Sequence, residues 1–166
     1  MPYLEEISLI LTVPSFKSIF SAIAVVSEIG SNMDVFPTAK HLCSWAGLTP
    51  TNNESAGKKK SVRISRAGCY IKPLLVQCAT AVVKSEKHLE IRTRYLRLKM
   101  RRGHKRAIIA IARMLLTAIY NILQKKEPYN AELYRKADVL PANREITVEQ
   151  AILLAKTQGY RITVAS

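Results

Sequence analysis

The chain has 166 residues, 48% hydrophobic and only 7% aromatic, with a formal net charge of +14. Such apolar content excludes a disordered polybasic tail, the length suits one compact domain or a domain with a tail, and a balance rich in Ala, Ile, Leu and Val favours helices. The charge excess says little about fold and points to an anionic partner: nucleic acid, an acidic protein or a membrane surface.

In chain order, residues 2–11 and 16–29 predict two short helices, parted by Pro14-Ser15 and closed by Gly30, Ser31 and Asn32. Ile19, Phe20, Ile23, Val26 and Ile29 recur at helical spacing along the second. Thr38 precedes a third short helix over 39–45, which Gly47 and Pro50 stop. Residues 51–61 read as a loop by composition, and Val62-Arg63-Ile64 alternates as a brief strand does. After a turn at Ala67-Gly68, residues 70–87 predict a helix. Pro73 falls in its first turn, where a missing N–H is tolerated, and Leu74, Leu75, Cys78, Ala81, Val82 and Ser85 form its expected buried stripe.

Residues 88–100 continue in a strongly basic helical pattern as far as the break at Gly103. Residues 104–124 carry the strongest helical signal, basic at the start and apolar afterwards, and Glu127-Pro128 ends it. Thr147 to Gln150 fits a capping box for a last helix over 151–158. The expected fold is mainly α: a compact helical domain with a basic, serine-containing loop and at most a short β element. Its expected divisions are a helical hairpin cluster (1–50), a basic serine loop with a helical core (51–126) and a helical tail (127–166).

Cys43, Cys69 and Cys78 are odd in number and form no CxxC pair, which argues against a disulfide framework or a zinc site. The first residues lack the basic start of a secretory signal. The longest apolar stretch, 107–122, is interrupted by Arg113 and falls short of the roughly 18–20 residues of a membrane helix. These features predict a soluble, cytoplasmic protein with no membrane partner.

Where the charge lies says more than its total. Residues 51–113 carry a net +14, against −2 for residues 1–50 and +2 for 114–166. Lys58, Lys59, Lys60, Arg63, Arg66 and Lys72 flank the loop, and Arg101, Arg102, Lys105 and Arg106 bracket Gly103. Spread over a loop and two predicted helices, they suit a folded surface that neutralises phosphates. The alternative is a solvated basic face.

Glu54-Ser55-Ala56-Gly57-Lys58 sets a hydroxyl among small neighbours beside lysines. A serine so placed can attack phosphorus if cations hold the non-bridging oxygens and a base or metal takes its proton; by spacing alone it is an ordinary turn. Only Glu54, Glu86 and Glu90 bring carboxylates to this third of the chain, too few for a two-metal nuclease centre. His41, His88 and His104 are scattered, and His104 suits phosphate or solvent better than metal. Trp45 is expected in the core rather than as a stacking platform for bases.

The run from Phe36 to Pro50, then Ser55-Ala56-Gly57, then Ile64-Ser65-Arg66-Ala67-Gly68 and the helix from Tyr70, resembles the C-terminal transposase domain of the insertion sequence 110 family. The later stretch RRGHKRAIIAIARMLLTAIYNIL is similar to that family's closing basic helix, so the resemblance covers roughly residues 5–135. It implies a DNA recombinase that moves an insertion element under a structured guide RNA and acts as a homo-oligomer in a synaptic complex. It implies that Ser55 is the nucleophile that joins DNA.

The resemblance also implies an N-terminal nuclease-like domain with metal-binding acids. The chain is expected to lack that domain as a truncated copy, inactive alone, with Mg2+ entering only alongside the missing half. A second departure is Pro14-Ser15-Phe16-Lys17-Ser18, which stands where the family usually has a Pro-Gly-x-Gly turn suited to gripping phosphate. Two other readings compete: a stand-alone, non-catalytic nucleic-acid-binding protein, and a protein-interaction domain whose basic face meets an acidic partner.

Overall fold

The computed structural model describes residues 3–50, 53–55, 58–61 and 67–132, with backbone alone in 53–55 and 58–61. Met1–Ala131 forms one compact unit, distinct from Glu132–Ser166. The described part is mainly α-helical. The predicted capping box and last helix lie outside the described residues, as does the brief strand expected at 62–64.

α1 (Leu4–Leu11) buries Ile7 and Ile10, and its Glu5 and Glu6 sit in the first turn, where the helix dipole favours anions. α2 (Ile19–Ile29) starts later than its periodicity predicts. Phe16 is fully buried in the turn before it, and the helix buries Ala22, Val25, Val26 and Ile29. Ile19 and Phe20, expected in the stripe, are 46% and 79% exposed. Once Phe16 takes the core position, the first turn of α2 is carried outward. A 3-10 turn over Met33–Val35, whose cap Asn32 accepts from the Asp34 N–H, leads to α3 (Ala39–Trp45).

α4 (Ile71–Lys84) has Pro73 in its first turn and buries Ile71, Leu75, Cys78, Ala79, Val82 and Val83. Its stripe is rotated from the expected one: Ala81 is exposed and Leu74 half-buried. The helix stops at Lys84, short of the expected end at residue 87, because Ser85 turns extended (φ −75°, ψ 136°). α5 (Leu89–Arg102) then buries only Ile91 and Tyr95.

α6 (His104–Lys125) is the spine. Eleven of its 22 residues are buried, and it packs against α1, α3, α4 and α5. Contrary to the sequence expectation, it is long and apolar enough to cross a membrane by length and composition, yet most of it lies inside the protein as a core helix. Long-range hydrogen bonds tie other segments to it. Tyr120 Oη donates to the Phe36 carbonyl at 3.0 Å, and Lys126 Nζ, just past its end, donates to Glu6 Oε1 at 2.6 Å. That bond, helped by a backbone hydrogen bond, holds the Glu6 carboxyl below its ordinary value. All three cysteines are free; Cys43 and Cys78 are buried, and burial pushes the Cys78 thiol up to about 11.

The serine segment starts and ends at a neck where the end of α3 meets the turn before α4. α3 ends in a Schellman motif: the Gly47 N–H donates to Ser44 O at 3.0 Å and the Leu48 N–H to Cys43 O at 2.9 Å, with Gly47 at φ +65°. Gly68, at φ +68°, lies directly against the Ala46 backbone; a Cβ there would meet the Ala46 carbonyl oxygen and come within 2.7 Å of its carbon. A Cβ at Gly47 would meet the Ala67 carbonyl oxygen and lie 2.8 Å from Lys72 Nζ. Each glycine thus lets the other segment's backbone cross at contact distance, and the two ends of the intervening loop are held together.

Ser15 occupies φ +74°, the left-handed region, at the position where the Pro-Gly-x-Gly turn would put glycine. Ser15→Gly should therefore stabilise the fold by up to about 1 kcal/mol, read as a raised urea midpoint. Gly68→Ala presses a methyl into backbone that cannot swing aside. It should lower stability by about 1–3 kcal/mol and speed proteolysis within 49–66; an unchanged midpoint would mean that the crossing does not hold the neck.

Candidate nucleic-acid interface

Beyond the neck, β1 (Asn53–Ser55) and β2 (Lys58–Ser61) pair antiparallel, where composition predicted loop throughout. Asn53 stands opposite Ser61, Glu54 opposite Lys59 and Ser55 opposite Lys58, with an irregularity between Asn53 and Glu54. The pairing left no sequence signal because neither strand has an apolar face; every position is polar, so the alternation that marks a half-buried strand is absent. Ser55 therefore ends one strand, and Lys58 begins the other directly after the intervening Ala56-Gly57. Lys59 and Lys60 follow in β2, while Arg63 and Arg66 lie outside the described residues.

The second basic group is a corner between helices. α5 ends on Arg101-Arg102, Gly103 turns the chain, and α6 opens on His104-Lys105-Arg106, all exposed. At the α5 end, Lys99, Arg101 and Arg102 suit the negative pole of the helix dipole. At the α6 start the charges oppose the dipole: the first turn holds cations and no acid. Two positive sources therefore meet at one corner, and a bound anion relieves both.

Tyr95 braces this corner from below. Its hydroxyl lies 2.8 Å from His104 Nδ1, the two rings meet edge to face at 6.0 Å, and Lys99 Nζ lies 6.0 Å from the Tyr95 ring centre. Among the described residues, Arg101, Arg102, Lys105 and Arg106 pair with no carboxylate. The exposed Arg92, Arg97 and Lys99 of α5 extend the basic surface. These three belong to the basic pattern that the sequence shows, but only the burial of Ile91 and Tyr95 reveals which side of α5 faces outward.

The candidate residues thus fall into two groups, the hairpin with Ser55 and Lys58 to Lys60, and the α5–α6 corner. Lys72 is half-buried in the first turn of α4 beside Gly47. Trp45, expected in the core, is 42% exposed and tilted against Phe36 at 5.7 Å, because Leu42 and Cys43 take the inward side of α3. Tyr70, just past the neck, is 75% exposed. Among the described residues no group of three or more His, Cys, Asp or Glu gathers to hold a metal. Among the described residues the donor set does not suit Mg2+.

The profile of the Transposase IS116/IS110/IS902 family matches residues 7–96. The chain is also similar to the "Pilin gene-inverting protein" of Moraxella lacunata and to that of Moraxella bovis. Each is 29% identical over 138 residues, with 76% of this chain and 39% of the relative covered. The chain thus spans about two fifths of the length of the curated relatives it matches. No solved structure matches it. The family match corrects the reading of the chain as a C-terminal remnant stripped of its N-terminal domain, because the matched region lies in the N-terminal part of this chain and stops at residue 96. With more than half of its length matched, the chain belongs to the Transposase IS116/IS110/IS902 family.

Proposed function

We propose that the chain is a DNA-binding transposase domain that rearranges DNA by strand exchange, with Ser55 as the nucleophile. The observation that carries this reading is the family match, whose span of 7–96 takes in the serine hairpin and its lysines. The two relatives are named for inverting a pilin gene, a DNA rearrangement, and the proposal extends that kind of role to this chain. The backbone register, with Lys58 opposite Ser55, supports it: a serine and a lysine on paired strands are the residue types that in-line attack on a phosphodiester needs.

The chemistry balances without an outside energy source. Ser55 Oγ loses its proton to a base and bonds to phosphorus. The bond from phosphorus to one deoxyribose oxygen breaks, and that oxygen takes up a proton. Joining reverses the sequence: a deoxyribose hydroxyl from another strand attacks the phosphoserine, the Ser55 oxygen leaves, and the serine recovers its proton. Lys58, Lys59, Lys60, Arg63 and Arg66 supply charge to the phosphate under attack. Lys72, Arg101, Arg102, Lys105 and Arg106 hold the flanking backbone. A structured guide RNA, assembly as a homo-oligomer and a place in the prokaryotic cytoplasm belong to the same proposal.

Radiolabelled element-end DNA incubated with the protein and run under denaturing conditions tests the covalent step. Wild type should give a protein-linked band and Ser55→Ala none, while native-gel binding by Ser55→Ala stays within about twofold of wild type, since losing one hydroxyl removes no phosphate-neutralising charge. An adduct that persists in Ser55→Ala would remove Ser55 as the nucleophile. Separately, the slope of log binding constant against log salt should fall by about one for each of Arg101, Arg102, Lys105 and Arg106 changed to Ala. Unchanged slopes would take the corner out of the interface and leave the basic residues as a solvated face.

A further inference from the structure

Beside the basic corner lies a cavity of about 370 Å³, between the outer side of α4 and the start of α6. Such a volume sits at the lower end of the roughly 300–1,000 Å³ of small-molecule sites. Four lining residues make an apolar wall: Val76 and Thr80 from α4, Ile108 and Ile109 from α6. The Thr80 hydroxyl donates to the Val76 carbonyl at 2.8 Å, so its hydrogen is spent within the helix. The other three lining residues, His104, Lys105 and Arg106, are cationic or can be, and the lining holds no carboxylate. The 2.8 Å contact with the Tyr95 hydroxyl engages His104 Nδ1 and leaves Nε2 as the ring nitrogen available to a ligand.

An apolar wall beside paired cations fits an apolar group that carries an anion. The cations do not stop at the cavity: exposed Arg101, Arg102, Arg97 and Lys99 continue from it along α5. A trail of that length suits a polyanion better than the single head group of a lipid. We propose that the cavity receives one unpaired nucleotide of a bound strand, its base against Val76, Thr80, Ile108 and Ile109 and its phosphate at Lys105 and Arg106. The proposal rests on the nucleic-acid reading and adds to it a preference for unstacked bases. Extruding a base from an intact duplex costs a few kcal/mol, so a nucleotide that is already unpaired enters with the least penalty.

Three fluorescein-labelled DNA duplexes test this by anisotropy on the full chain: fully paired, with a single-nucleotide bulge, and with the same bulge made abasic. The base-bearing bulge should bind about tenfold tighter than the abasic one, a difference of about 1.4 kcal/mol. Thr80→Phe, which fills the cavity, should erase that difference and leave the affinity for the paired duplex unchanged; Thr80→Ser should keep it. Equal binding of the base-bearing and abasic bulges overturns the proposal on the native protein, whatever the variant does. So does a difference that survives in a Thr80→Phe protein with native circular dichroism and melting. Displacement of the bulge preference by an equimolar free nucleoside monophosphate would make this a site for free nucleotides, against the strand assignment. If none of the three duplexes binds in a salt-dependent way, the nucleic-acid reading itself fails. If all three bind alike, only the cavity assignment does.

Discussion

The described fold depends on the burial of α6. A 22-residue helix with Ile108, Ile111, Leu115, Leu116, Ile119, Ile122 and Leu123 all buried cannot stay in water alone. Four other helices close around it, and each contributes only a short apolar stripe. At about 25 cal/mol per Å² of apolar surface removed from water, that shared core outweighs any surface ion pair in the chain, including Lys126 to Glu6. The same helix explains why the protein can hold so much positive charge. Cations crowd its exposed first turn because the apolar turns behind it fix the helix whatever its dipole prefers.

This arrangement separates anchoring from presentation. The core holds α3 and α4, and the crossing of Gly47 and Gly68 joins the end of one to the start of the other. The serine segment between them therefore starts and ends at a fixed base, although its two short strands carry no apolar face of their own. At the other basic site the body itself forms the surface. α5 turns its arginines outward because Ile91 and Tyr95 are drawn in, and Tyr95 sets His104 through one hydrogen bond.

How much of this was legible differs from one element to the next. α6 could be read directly, because many apolar positions at one period leave little choice, and α3 could be read from the Thr38 before it and the Gly47 and Pro50 after it. α2 and α4 were read as helices with part of the buried stripe: Val26 and Ile29 on one and Leu75, Cys78 and Val82 on the other are buried as expected, while Ile19, Phe20 and Ala81 are exposed. Phe16 before α2 takes a core position that periodicity assigned to Ile19 and Phe20, and Ser85 stops α4 where composition would let it run on. The family resemblance was legible from the spacing around Trp45, Ser55 and Gly68. The part of the chain it occupies was not, because spacing alone does not show where a family's domain ends.

The sequence by itself determined which segments are helical, that the helices share an apolar core, and that the positive charge gathers in the middle third, since composition and short periodicity are local properties. The tertiary structure decided the rest. It joined the ends of the serine segment at Gly47 and Gly68, turned Trp45 outward, and set an apolar wall from α4 against the cations of α6. Those outcomes depend on contacts between residues some 20 to 30 positions apart in the chain. No window of neighbouring residues encodes such a contact; it forms only when burying α6 brings the segments together.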